Sequence, residues 1–271
     1  MENFVSEKIN NILGKEYKEH NVFSKLDEMI SFYKSFSFSI FGFITQGTEA
    51  HCNIDSYLYS SIQGTLDSIS NILRNGRIND SYALLRKYYD SIIINIYSTL
   101  YLNNNFSLEN FVVDKIDSWL KGKEQLPEYR IMSQYIKNSD KLKPLTTLLY
   151  KDNRYKKIRD RCNDHTHYNF YKNILLNDNE IYLKNRIKAL DVFSEDLEQV
   201  FILHISYLFY LNDHYMMSSD YIDSLECGLT PEENSQYFVA PFIQKVFDST
   251  IKKHREDIAT KIKENTSMML E

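Results

Sequence analysis

The chain has 271 residues, of which 43% are hydrophobic and 14% aromatic, enough to fill a sizeable core. With 32 Lys and Arg against 37 Asp and Glu, its net charge of -5 excludes whole-surface attraction to nucleic acid or to an anionic membrane, so such a partner must be met by a local patch. Only 7 Gly and 4 Pro leave few of the turn residues that strand-rich folds need, which predicts an all-α, multi-helix bundle with short connections.

In chain order, Phe4, Ile9, Ile12 and Leu13, then Phe23, Leu26, Met29, Ile30 and Tyr33, recur at three- and four-residue spacing and predict amphipathic helices. A third helix begins near Ile54, runs through Leu58, Ile62, Leu66, Ile69 and Leu73, and is stopped by Gly76. Asn79 or Asp80 can cap the next, which continues through SYALLRKYYDSIIINIYSTLYL to Asn103–Asn105 and forms a long antiparallel pair with its predecessor. A shorter helix is expected from Ser107 to Leu120, a KGKEQLP loop after it, and a further short helix at Pro144. A polar turn at 177–180 leads into a long helix over 183–216. There the run VFILHISYLFYL (200–211) is too short to span a bilayer and reads as core, His204 included. Thr230 as N-cap and Pro231 at the first helical position predict the start of a C-terminal helical pair.

These elements are expected to form one all-helical domain, with N-terminal helices in 1–53, a core in 54–216 and a C-terminal extension in 217–271. The N-terminus lacks the order of a secretory signal, and Cys52, Cys162 and Cys227 are odd in number and far apart, which predicts reduced thiols in a cytoplasmic protein.

The chemistry is concentrated in IRDRCNDHTHYNF (158–170), preceded by KDNRYKKIRDR (151–161), a segment with six basic and two acidic side chains in an acidic protein. Arginine offers a fixed fork of donors to a phosphate, and histidine exchanges a proton near neutral pH. If the basic segment is helical into the motif, Arg161 and His165 share a face, whereas Arg159 with His165, or Arg161 with His167, do so only where the helix ends or bends. This set suits phosphodiester cleavage without a metal or other cofactor. His165 or His167 handles the proton, Arg159 and Arg161 hold the phosphate, and Asn163 or Asp164 orients the histidine. Asp160, Arg86 and Asp90 are placed behind them as supports, although Arg86 and Asp90, four apart, also read as a plain helix-face ion pair.

Arg159, a polar residue, a short spacer and His165 resemble the motif of the HEPN family, an arginine and a histidine separated by four to six residues. Arg161 with His167 fits the same spacing. GRINDSYALLRKYYDSIIINIY (76–97) is similar to the helix that precedes the motif in abortive-infection-type members. The resemblance covers roughly the middle half of the chain. It implies a helical bundle, often a homodimer with two motifs facing across a cleft, and metal-independent endoribonuclease activity. A toxin or anti-phage defence role, with a protein antitoxin or activator as partner, belongs to the same implication.

Three other readings compete. The cluster can be a helix end whose side chains bond one another, in a helical interaction module that catalyses nothing; it can bind a nucleotide without turnover; or His165, His167, Asp164 and Cys162 can hold a metal, which the flanking arginines oppose. An open cleft with Arg and His directed at one point separates catalysis from a buried, mutually satisfied interface.

Overall fold

The computed structural model describes residues 13–40, 51–109, 111–177 and 186–271. Among these residues the protein is helical and holds no strand beyond isolated bridges such as Met217 with Val239. No helix among them is long and apolar enough to cross a membrane. The elements are α1 (Lys15–Lys18), α2 (Val22–Ser39), α3 (Ile54–Arg74), α4 (Ile78–Asn105), α5 (Asp114–Leu120), α6 (Tyr129–Lys137) and α7 (Lys143–Leu149). They continue with α8 (Arg154–Thr166), α9 (Tyr171–Leu176), α10 (Arg186–Leu211), α11 (Asp220–Glu226), α12 (Pro241–Val246) and α13 (Glu256–Asn265).

The stop at Gly76 follows from its left-handed backbone, φ 75°. Its N–H donates to the Leu73 carbonyl at 2.8 Å and that of Arg77 to the Ile72 carbonyl at 3.2 Å, the paired bonds that close a helix C-terminus on glycine. A Cβ here would also sit 3.1 Å from the Arg186 guanidinium. Pro144 opens α7 in its first turn, where a missing N–H costs nothing.

Several sequence expectations shift. Asn79 does not cap α4, because the helix starts at Ile78 and Asn79 lies inside its first turn, where its side chain serves another purpose. The helix expected over 107–120 is confined to α5, and α6 was not anticipated. Thr230 and Pro231 lie in irregular chain; Glu232 and Glu233 beyond them are exposed and supply no apolar face. The C-terminal helices start instead at Pro241, which follows extended Ala240 and brings Ile243 and Phe247 into the core. The long helix expected to Met216 ends at Leu211 and is followed by a single 3₁₀ turn, Asp213–Tyr215. The expectations at Phe4, Ile9 and Ile12, at 178–180 and at 183–185 lie outside the described residues.

The chain divides into two compact units. The described part of the first comprises 13–40, 53–92, 153–177 and 186–201, with α4 and α10 each continuing into the other unit. Its core joins α2, α3, α4 and α10. Tyr33 and Tyr88 share a hydroxyl–hydroxyl hydrogen bond of 2.8 Å, Phe36 packs on Tyr59 with centroids 5.0 Å apart, and Phe32 meets Phe201 edge-on. Ser37 and Ser56 each donate a hydroxyl proton to the other's backbone carbonyl, which fixes α2 against α3.

In the second unit, Phe209 packs against Phe247, His204 bonds Asn95, and Arg255 ties the chain together through Asp257 and the Leu148 carbonyl. His204 is completely buried and acts in the core, as its position in an apolar run predicts.

Candidate functional site

α8 carries the motif as one continuous helix as far as Thr166, and its geometry sorts these residues onto two faces. All of the contacts below lie within the first unit.

One face is an ion-pair chain. Arg86 donates from Nε to Asp90 Oδ2 at 3.0 Å and from Nη1 to the Asn163 side-chain oxygen, while Arg159 donates from Nη1 to Asp90 Oδ1 at 2.6 Å. The i, i+4 pair on α4 is therefore real, and it is bridged to α8 by two residues of the motif. Asn163 is committed to Arg86 and does not orient a histidine. Asp160 is exposed, and Asp164, proposed to orient the histidine, accepts from the Asn169 side-chain amide at 2.8 Å, while the His165 Nδ1 partner is Asn79.

The other face is built around His165 and Arg161. The His165 ring is 8% exposed and stacks on Tyr82, with centroids 4.0 Å apart and planes 9° from parallel. Its Nδ1 bonds the side-chain oxygen of Asn79. The amide nitrogen of Asn79 donates to the Asn173 carbonyl, which leaves only an oxygen to face the ring, so Nδ1 carries the proton and Nε2 keeps its lone pair. Asn173 in turn donates to the Asp164 carbonyl at 3.0 Å, fixing α9 on the end of α8. Burial drives the His165 pKa down to about 4, with Arg161 and Lys172 pushing the same way and Asp164 opposing, so the ring is neutral at physiological pH.

Arg161 forms a two-pronged pair with Asp196 of α10, Nε to Oδ2 and Nη2 to Oδ1, both 2.7 Å. Asp196 is buried and also accepts from the Tyr82 hydroxyl at 3.1 Å. This pairing holds the Arg161 guanidinium firmly charged, and its Nη1 is not used by Asp196.

His165 and Arg161 line a cavity of about 430 Å³, together with Tyr82, Asn173, Lys172 and Lys188. Leu175, Leu176, Ala189 and Val192 supply its apolar wall. Lys172 and Lys188 are exposed, and among the described residues no carboxylate lines the space. His167 follows the last residue of α8 and is exposed, away from the cavity lining. Among the described residues no three His, Cys, Asp or Glu side chains gather as a metal site would need.

Of the sequence candidates, the fold thus brings Arg161 and His165 together at the cavity and sets Arg159, Asn163, Arg86 and Asp90 apart. Asn79, Tyr82, Asp196, Lys172 and Lys188 were not foreseen as site residues; only the polar character of Asn79 within a helix start hinted at a role. Comparison with known proteins adds nothing to these assignments: no family model matches the chain, and neither a curated protein nor a solved structure is significantly similar to it.

Proposed function

We propose that the first unit is a metal-independent endoribonuclease of HEPN type. The observation that carries the reading is a neutral imidazole, its tautomer fixed by Asn79, set in the wall of an open cavity beside Arg161, Lys172 and Lys188. His165 Nε2 takes the proton of a ribose 2′-OH; the 2′-oxygen attacks the adjacent phosphorus and the bond to the 5′-oxygen breaks, leaving a 2′,3′-cyclic phosphate. The three cations meet the charge that builds on the phosphate oxygens. The departing 5′-oxygen receives its proton from a second copy of the chain, which completes in a homodimer what one cavity supplies in part. A defence role under the control of an antitoxin or activator extends the same resemblance.

The interaction-module reading has its own support in the chain Asn163–Arg86–Asp90–Arg159, whose groups satisfy one another. Incubation with mixed structured and single-stranded RNA in EDTA separates the two readings. The parent is expected to cleave and leave 2′,3′-cyclic ends, His165→Ala to be inactive while folded, and His167→Ala to retain activity within about tenfold. A His165→Ala protein as active as the parent, or a parent inert with every RNA and candidate activator tried, would move the assignment to the module.

A further inference from the structure

The cavity is larger and more apolar than a phosphate site requires. A phosphate alone needs donors and charge, which the lining supplies as Arg161, Lys172 and Lys188 with His165. The rest of the lining includes hydrocarbon from the same two helices that carry the lysines, Leu175 and Leu176 of α9 with Ala189 and Val192 of α10. At about 430 Å³ the space falls in the roughly 300–1,000 Å³ range of small-molecule sites. The ligand that fits is thus an anion with an apolar or flat body. With the Arg161 guanidinium already paired to Asp196 and no carboxylate among the described lining residues, Lys172 and Lys188 leave two positive charges that a phosphate matches and a monocarboxylate does not. Tyr82 and His165, stacked on each other, both belong to the lining, so the body of the ligand meets aromatic as well as aliphatic surface.

We infer that this cavity is a nucleotide pocket: it receives the base of the nucleotide whose 2′-OH faces His165, with that nucleotide's own 3′-phosphate on Arg161, Lys172 and Lys188. The inference deepens the ribonuclease reading and rests on it for the orientation of the nucleotide. Cleavage then requires an unstacked, unpaired nucleotide, because a base held in a duplex cannot enter the cavity.

Titration calorimetry of the full chain with 3′-AMP, 3′-UMP, inorganic phosphate and laurate tests it. The nucleotides are expected to bind at least tenfold tighter than phosphate. Ala189→Trp, which fills the pocket from its apolar wall, should bring them down to the phosphate level while phosphate binding persists. Lys188→Glu, at an exposed position, should weaken nucleotides and phosphate alike. Should Ala189→Trp disturb the fold by circular dichroism, Val192→Phe replaces it. Nucleotides that bind no better than phosphate, a filled pocket that binds them unchanged, or laurate binding tighter than either nucleotide overturns the inference. The two failures are separable. Tight nucleotide binding without RNA cleavage keeps the pocket and removes the ribonuclease, whereas His165-dependent cleavage that Ala189→Trp leaves at the parental rate removes the pocket alone.

Discussion

The pair at the back of the cavity makes the sharpest energetic test. Asp196 is 3% exposed and receives three hydrogen bonds, two from Arg161 and one from Tyr82. Asp196→Ala strands these donors unequally. The Tyr82 hydroxyl, on a residue 1% exposed, loses its acceptor and costs about 1–3 kcal/mol. The Arg161 side chain is 38% exposed, so its released guanidinium can turn to water, and the loss there stays near the low end of a broken charged pair, about 1–2 kcal/mol. The sum is about 2–5 kcal/mol, read in urea unfolding followed by far-UV circular dichroism as a lower midpoint. Because the Tyr82 term comes from an orphaned hydroxyl, Asp196→Ala/Tyr82→Phe should recover about 1–2 kcal/mol of the loss. A single-variant cost below about 1 kcal/mol, or no recovery in the double variant, refutes the reasoning that Asp196 is the buried anchor of both groups.

Three further outcomes follow from the same contacts. Asn79→Asp should keep His165 oriented but stabilise its protonated form, so the acid limb of the cleavage pH profile moves up by at least about one unit, while Asn79→Ala frees the tautomer and lowers kcat; an unmoved limb removes Asn79 from its positioning role. Burial holds His204 at about 3 and His165 at about 4, below the 6.5 of an unfolded histidine. The unfolded chain therefore takes up protons first as pH falls, and each group's stabilisation, complete above 6.5, is lost as pH drops toward its folded value; for fully buried His204 the slope is up to about 1.4 kcal/mol per pH unit. Urea midpoints between pH 7 and 5 should fall less steeply in His204→Gln, and an unchanged slope counts against the burial argument. Tyr33→Phe leaves the buried Tyr88 hydroxyl without its 2.8 Å partner and should cost about 1–2 kcal/mol, most of it regained in Tyr33→Phe/Tyr88→Phe, as thermal or urea unfolding can show.

How far the sequence carried depended on the range of the interaction. Gly76 announced a helix end because the left-handed backbone is a local demand, and Arg86 with Asp90 announced an ion pair because a helix makes neighbours of residues four apart. The assignment of Thr230 and Pro231 failed because a good capping pair cannot hold a helix whose next residues have nothing to bury. Helix α6 was overlooked although Met132 and Ile136, four apart and buried, carry a short version of the expected periodicity. The site's supports were illegible for a different reason: Asn79 reaches His165 across 86 positions and Tyr82 reaches Asp196 across 114, and no local pattern encodes such pairings.

The doubled motif shows where local reasoning and the fold meet. Successive helical residues turn by about 100°, so residues six apart, Arg159 with His165, point about 120° away from each other, while Arg161 and His165 differ by only about 40°. Since α8 stays helical through Thr166, only the second pair can face one cavity, and His167 lies beyond the last turn. The pair brought together is therefore separated by three residues, one fewer than the shortest HEPN spacing, and Arg159 is left to brace α8 against Asp90. That division makes a direct demand on mutants. If the cavity is the site, Arg161→Leu should suppress activity in a protein whose Asp196 is simultaneously replaced by Leu to avoid a bare buried carboxylate. Arg159→Leu should act through stability alone, with kcat unchanged once the folded fraction is matched. Loss of kcat in Arg159→Leu with an active Arg161→Leu/Asp196→Leu protein would return the chemistry to the six-residue pairing and require α8 to bend on binding RNA.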